Sequence, residues 1–357
     1  MKALLFTLLF LLLACSEDNI EKQENSQLEN EFVNAVDISS YPEISLSNPK
    51  FYNESGVEEN FIQQLKNNGV NTIRLRLWVN PSDLHSGFEE VKTFSDQLKS
   101  MGFKIWISLH YSDTWADPAQ QITPISWQNL NFTELSIKVK EYTKNVILEI
   151  NPDYIQIGNE INNGFLHPLG NIHNQPQQFK DLLALAIDTV RENSTSTQII
   201  IHFAGVNNSL WFFQQIENLD YDIIGLSYYP IWHDKNLLNL KEHLNQLENN
   251  FNKKILIAET AYPFTLDWND HTNNIVGENQ QLILPDFPAT PLGQYNFLAE
   301  IKSIIQQTPN GVGLCYWGAE LVAWKGQDAV DASSWENQAL FDFQNKVLPA
   351  IKIFTEN

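Results

Sequence analysis

The sequence predicts an α/β fold, a single (β/α)8 barrel. Eight short apolar runs rich in β-branched residues alternate with longer stretches of helical period. No glycine-rich phosphate loop follows the first run, which counts against a nucleotide-binding doubly wound sheet. Periodicity alone leaves an open sheet and a closed barrel equally possible. In order, the runs cover residues 33–38 (VNAVDI), 72–79 (TIRLRLWV), 104–110 (KIWISLH) and 154–160 (YIQIGNE). Residues 198–203 (QIIIHF), 223–229 (IIGLSYY), 254–259 (KILIAE) and 312–317 (VGLCYW) complete the set. Between them lie amphipathic stretches such as 57–68, closed by Gly69, and 177–193, where Phe179, Leu182, Leu183, Ala186, Ile187 and Val190 share a face. One catalytic domain over residues 33–357 is expected, with no break inside it.

The segment before it is of another kind. Residues 1–14 hold one lysine and then an almost unbroken apolar run, too short to span a bilayer and suited to a secretory signal. The run ends in Leu12-Leu13-Ala14-Cys15, which resembles the lipobox of bacterial lipoproteins and implies lipidation of Cys15. Residues 15–32 read as an acidic flexible tether; from 16 to 31 there are six acidic residues and one basic, with almost nothing to bury. Acidic residues directly after the cysteine also resemble the surface-export signal of Bacteroidetes lipoproteins. The implied location is the outer membrane, through a lipid anchor, facing the periplasm or the cell surface. With Cys15 acylated, Cys315 stands alone in an apolar run as a small buried hydrophobe.

Composition narrows the partners. Against 43 Asp and Glu there are 22 Lys and Arg, a formal charge of −21 that would repel phosphate backbones, so nucleic acid is excluded. Aromatics make up 12% of the chain. Several of them, Trp78, Trp115, Trp232, Trp317 and Trp324, fall at or just past strand ends, whereas Trp106 sits mid-strand as a core residue would.

Chemistry in such barrels sits at the C-terminal strand ends. Two of those ends carry a glutamate, Glu160 on the fourth strand and Glu259 on the seventh. A carboxylate ending an apolar strand is costly unless paired or protonated. Taken singly, each could be structural, paired with Arg74 or Arg76. Two of them, on strands that face one another across the mouth and ringed by Trp and Tyr, fit glycoside hydrolysis better. One would be the general acid and the other the nucleophile or base.

These residues resemble the glycoside hydrolase family 53 endo-β-1,4-galactanases. The resemblance rests on FYNESG (51–56), NTIRLRLWVNP (71–81), LHYSDTWADPAQQ (109–121), QIGNEINNG (156–164), SYYPIWH (227–233), ETAYP (259–263) and SSWENQALFD (333–342). It implies Glu160 as acid/base, Glu259 as nucleophile and Asn159 as a partner of the sugar 2-hydroxyl. It further implies that Tyr228 orients Glu259, that Arg76 keeps that glutamate ionised, and that His110 and Asp37 line the same subsite. Trp317 would stack under the sugar, with Asp113 and Trp115 contacting further galactose units. The implied activity is internal cleavage of β-1,4-galactan, the side chain of type I arabinogalactan and pectin, with retention at the anomeric carbon, by a monomer without an organic cofactor.

The loop after the seventh strand carries Asp267, Asn269, His271 and Asn273 at every second position. Such spacing can turn oxygen ligands inward on Ca2+. The family resembles this with a calcium loop aided by a serine and an acid further on, which implies Ser333 and Glu336 as additional ligands. A polar loop held by turns is the alternative. Zinc is not expected, since there is no Cys cluster and no paired-His helix motif. Two readings compete with the galactanase: a retaining hydrolase of the same clan acting on mannan or glucan, and a surface glycan-binding lipoprotein without activity.

Overall fold

Apolar runs buried on both faces can satisfy their backbone polar groups only against other strands, and here they close on themselves. In the computed structural model, which describes residues 31–355, the eight runs form one closed parallel barrel in which each strand pairs with its sequence neighbours and β1 pairs with β8. The strands are β1 (Val33–Asp37), β2 (Thr72–Leu77), β3 (Lys104–Leu109), β4 (Tyr154–Ile157), β5 (Gln198–Ala204), β6 (Ile223–Ser227), β7 (Lys254–Thr260) and β8 (Gly311–Trp317). Expected and observed strands agree in number and order. The second, fourth and sixth end two or three residues early, because their last residues turn out into the βα loops. The signal peptide, Cys15 and all of the tether except residues 31 and 32 lie outside the described residues.

Eight α-helices accompany the strands: α1 (Tyr41–Ser45), α2 (Phe61–Asn67), α3 (Phe88–Ser100), α4 (Phe132–Ile150), α5 (Pro176–Asn193), α6 (Ser209–Gln215), α7 (Leu237–Phe251) and α8 (Pro291–Gln307). Their apolar stripes cover the outside of the sheet. On α5 the buried set contains the six residues named from the sequence. Asn131 caps α4 by accepting from the Glu134 N–H while the Glu134 carboxylate accepts from the Asn131 N–H.

The barrel interior has two storeys. The lower is apolar, with Val33, Ala35, Trp106, Tyr154, Ile200, Ile223, Leu256, Ala258 and Cys315 in one buried cluster. The Cys315 thiol is pushed well above its ordinary pKa by burial, as suits an inert core residue. Above this floor the inward positions become polar: Asp37, Arg74, Ser108, Gln156, His202 and Ser227, all buried.

β7 departs from strict alternation. Leu256 and Ala258 both face the interior cluster, so Glu259 should face outward. A register shift between Leu226 and Ser227 places Glu259 opposite Ser227 and reverses the phase, bringing its carboxylate inside. β8 approaches β1 so closely that a Cβ on Gly313 would stand 2.4 Å from Val33 Cβ and 2.5 Å from Val33 O. Gly313→Ala should therefore lower unfolding free energy by about 1–3 kcal/mol, read from denaturant midpoints; an unchanged midpoint would contradict this contact.

Candidate active site

Arg74 is the centre of the polar storey. Its guanidinium is buried and donates through Nη1 to Asp37 Oδ2 at 2.7 Å and through Nη2 to Glu259 Oε1 and Asn159 Oδ1, each at 2.8 Å. Nη2 also reaches Ser108 Oγ at 3.1 Å, and Nε reaches Gln156 Oε1 at 3.2 Å. Burial pulls the Arg74 pKa down, but the Glu259 and Asp37 carboxylates more than offset it and leave it above its ordinary value. Below the guanidinium lies the Trp106 ring, 5.4 Å from it. Trp106 is thus the core residue its mid-strand position suggested.

Arg74, rather than Arg76, is therefore the charge that holds Glu259 ionised. Arg76 sits two residues nearer the mouth, where its guanidinium lies 4.3 Å over Trp78 and 4.0 Å over Trp115, and its Nε donates to Ser86 Oγ. It lines the cavity as a platform between indoles, and burial lowers its pKa to about 10. A second correction concerns the tyrosines. The Tyr228 hydroxyl turns away and donates to Asp234 O, while the neighbouring Tyr229 donates to Glu259 Oε2 at 3.1 Å. Adjacent residues at a strand end point to opposite sides, and the phase puts Tyr229 inside.

Glu160 is the second of two positive-φ residues just past β4. Gly158 has φ +75° and Glu160 itself φ +47°, an unusual conformation for a non-glycine residue that aims its carboxyl into the mouth. Its Oε1 accepts from Ser227 Oγ at 2.5 Å. Ser227 Oγ in turn lies 2.9 Å from His202 Nε2. His202 Nδ1 faces the Glu160 N–H, the Gln156 amide N–H and Asn159 Oδ1, so this imidazole ties Ser227 to the β4 end of the site. Burial and the Arg74 charge push the His202 pKa well below its ordinary value, keeping it neutral. Ser227 and His202 were not singled out in the sequence, because a serine and a histidine on apolar strands have no motif of their own.

The two glutamates titrate as a pair. Burial raises both; for Glu160 the charge of Glu259 raises it further, to about 8. For Glu259 the upward push of burial is opposed by Arg74 and by the Tyr229 hydrogen bond. Glu160 is thus the member of the pair whose proton is favoured, while Glu259 has a cation and a hydroxyl against its carboxylate. Both face the same cavity of about 600 Å3, which also receives Asp37, His110, Asn159 and Trp317. His110 Nδ1 accepts from Trp78 Nε1 and from the Ala116 N–H, leaving Nε2–H for a ligand. Burial, with Arg76 and Arg74 nearby, holds His110 neutral. Asn159 spends one amide hydrogen on Ala116 O and keeps the other available.

Aromatic rings surround the acids. Trp115 and Trp317 have centroids 6.1 Å apart, Trp317 and Trp335 4.6 Å, and Trp335 and Trp232 6.0 Å. All four line the cavity, and Trp335 was absent from the expected set. Trp324 does not line it and instead carries Lys325 over its ring. Asp113 is also outside: its two oxygens accept from the Asn80 and Ile125 N–H groups, tying one βα loop to the next. Asp117 lines the cavity in its place.

The residues read as calcium ligands do not converge. Among the described residues no group of three or more His, Cys, Asp or Glu side chains could hold a metal ion. The loop has the opposite phase: Asp267, His271 and Asn273 are exposed, while Asp270, Thr272 and Asn274 are buried. Asp267 Oδ2 accepts from Thr265, Asn269 is engaged through its N–H, and Ser333 Oγ donates to Leu321 O. Glu336 Oε1 accepts from the Asn269 and Asp270 N–H groups, so it does clamp this loop. Asp270 Oδ2, Asn274 Oδ1 and Glu336 Oε2 are buried without a hydrogen-bond partner.

A closed barrel with two glutamates, one just past the end of β4 and one on β7, in an aromatic cleft is the arrangement of a glycoside hydrolase. The chain belongs to glycosyl hydrolase family 53, whose family model matches residues 33–354. It is 33% identical over 323 residues to an arabinogalactan endo-β-1,4-galactanase of Cellvibrio japonicus, covering 85% of each chain. Among solved structures, the family 53 catalytic domain of Ignisphaera aggregans superposes with a TM-score of 0.85 at 36% identity, over 91% of this chain and 95% of that one. A fungal β-1,4-galactanase superposes with a TM-score of 0.78 at 27% identity, over 91% and 100%.

With Glu160 as the expected acid and Glu259 as the expected nucleophile, kcat/KM should fall as pH rises through about 8 and again at acid pH. Ser227→Ala removes the hydrogen bond that favours ionised Glu160, and should move the alkaline limb upward. A limb that stays in place would separate Ser227 from the acid.

Proposed function

We propose that this enzyme hydrolyses β-1,4-galactan internally, by a double displacement that retains the anomeric configuration. The observation that carries the reading is the asymmetry of the pair: Arg74 and Tyr229 hold Glu259 as a carboxylate while Glu160, lacking a cation in contact, keeps its proton. Glu160 hands that proton to the departing glycosidic oxygen as Glu259 attacks the anomeric carbon. The glycosyl–Glu259 bond is then broken by a water that Glu160, now a base, deprotonates. Asn159 and His110 Nε2 supply donors for ring hydroxyls, and Trp317 offers an apolar face. The galactan specificity is supported by the activities of the family relatives and by the aromatic cleft. Neutral sugar units tolerate a chain of charge −21.

Incubation with linear β-1,4-galactan, mannan and β-glucan should yield oligosaccharides from galactan alone. Cleavage of mannan or glucan instead would overturn the substrate, and inertness toward all three would favour a binding protein. Glu259→Gln should reduce kcat on galactan by about 10^4 or more while ligand binding persists; substantial residual turnover would remove Glu259 as nucleophile.

Two further readings lie beside the catalytic one. The three buried, unpartnered oxygens of Asp270, Asn274 and Glu336 would be satisfied by a hard cation such as Ca2+, a different ligand set from the alternating one read from the sequence. Ca2+ there would staple the loop. A chelator should then lower the melting temperature of the wild type, with no effect on Asp270→Asn; an equal response of both would refute it. At the N-terminus, the Leu-Leu-Ala-Cys sequence supports lipidation of Cys15 and an outer-membrane anchor. Cys15→Ala should release the protein from the membrane fraction, and retention there would exclude the anchor.

A further inference from the structure

Trp211 and His173 are exposed on the βα loops that follow β5 and β4, and neither has a part in the chemistry above. Trp211 lies on α6 and keeps 42% of its surface exposed. Isolated exposed tryptophans are ordinary, but this one is not isolated. His173 stacks on it with centroids 5.6 Å apart and an interplanar angle of 6°. The imidazole is itself held: its Nε2 meets Asn163 Oδ1 at 3.0 Å, and Asn163 Nδ2 donates to Pro118 O. The indole is thus backed by a ring whose orientation is fixed by the loop carrying the acid/base.

The two rings line a second cavity of about 380 Å3 together with Asn207 and Asn208. Those two amides are exposed and make no side-chain hydrogen bond among the described residues, so both their donors and acceptors are available. This cavity adjoins the catalytic one, with Pro118 and Asn162 lining both. Asn162 is pinned to the Ala204 backbone by two hydrogen bonds of 2.7 and 2.9 Å, so the shared wall is rigid. An apolar ring face beside unpaired amides suits a neutral sugar, which presents C–H bonds on one face and hydroxyls at its rim.

We infer that the Trp211–His173 cavity is a remote subsite for the leaving-group portion of the polysaccharide. The inference rests on the hydrolase reading above. Its side follows from the chemistry: Glu160 protonates the departing oxygen, and the cavity opens beyond Glu160 along the same loop, through Asn162 and Asn163. The Trp317–Trp335 pair and Glu259 border the opposite side of the cleft. A chain long enough to pass Glu160 would lay a unit on Trp211, while a substrate with a small leaving group would not reach it.

The test compares kcat/KM on linear β-1,4-galactan with kcat/KM on an aryl β-1,4-galactobioside, for wild type, Trp211→Ala and Asn207→Ala. Trp211→Ala should lose about tenfold on the polymer and change less than about twofold on the aryl glycoside, with Asn207→Ala, an exposed side chain whose loss cannot unfold the barrel, moving in the same direction by about threefold. If wild type cleaves galactan and both variants match it on the polymer, the subsite is overturned and the hydrolase reading stands. Equal losses on both substrates would make Trp211 structural and also overturn it. If wild type cleaves the aryl glycoside and not galactan, the substrate reading falls and takes the subsite with it.

Discussion

The Arg74 guanidinium is the constraint on which the rest of the site depends. Five acceptors from β1, β3, the end of β4 and β7 converge on it: Asp37, Ser108, Gln156, Asn159 and Glu259. A buried cation without those partners would be untenable, and the same holds for Asp37 and Glu259 without the cation. Removing one member of a buried pair costs roughly 3–5 kcal/mol, because the other charge is left uncompensated. Arg74 therefore ties together four strands, β1, β3, β4 and β7, and opposes the protonation of Glu259. The apolar storey beneath, with Trp106 under the guanidinium, keeps water from screening that choice.

Glu160 is defined by contrast. It lies in the same low-dielectric mouth but has Ser227 as its contact in place of a cation, and the nearby Glu259 charge opposes its ionisation. The neutral His202 behind Ser227 orients that hydroxyl without adding charge. The mouth therefore pushes two chemically identical side chains toward opposite protonation states, which is what an acid and a nucleophile need at one pH.

Much of this was legible in the sequence, and the failures share a cause. Strands buried on both faces read as apolar runs, so all eight were visible, as were the glutamates that interrupt their ends. What a sequence does not show is phase. Arg74 and Arg76 lie two residues apart on the same face of β2, and only depth in the barrel decides which meets Glu259 and which meets the indoles. Tyr228 and Tyr229 differ by one residue and hence by a whole face, and the alternation that carries Ser227 inward on β6 puts Tyr229 inside. Phase also marks the loop after β7, where Asp270 and Asn274 are buried while Asp267 and His271, the expected calcium ligands, are exposed. Ser227 and His202 gave no signal because their role arises from proximity to Glu160 across three strands.

The central claim is that burial and the Glu259 charge hold the proton on Glu160 while Arg74 withholds one from Glu259. A carbon-13 NMR titration of the glutamate carboxyls, in wild type and in Glu259→Gln, measures it directly. In the wild type the Glu160 carboxyl should titrate near 8, and in Glu259→Gln its midpoint should fall, since the opposing charge is gone. A wild-type Glu160 that titrates like an ordinary solvent-exposed glutamate, or a midpoint indifferent to the loss of Glu259, would contradict the account.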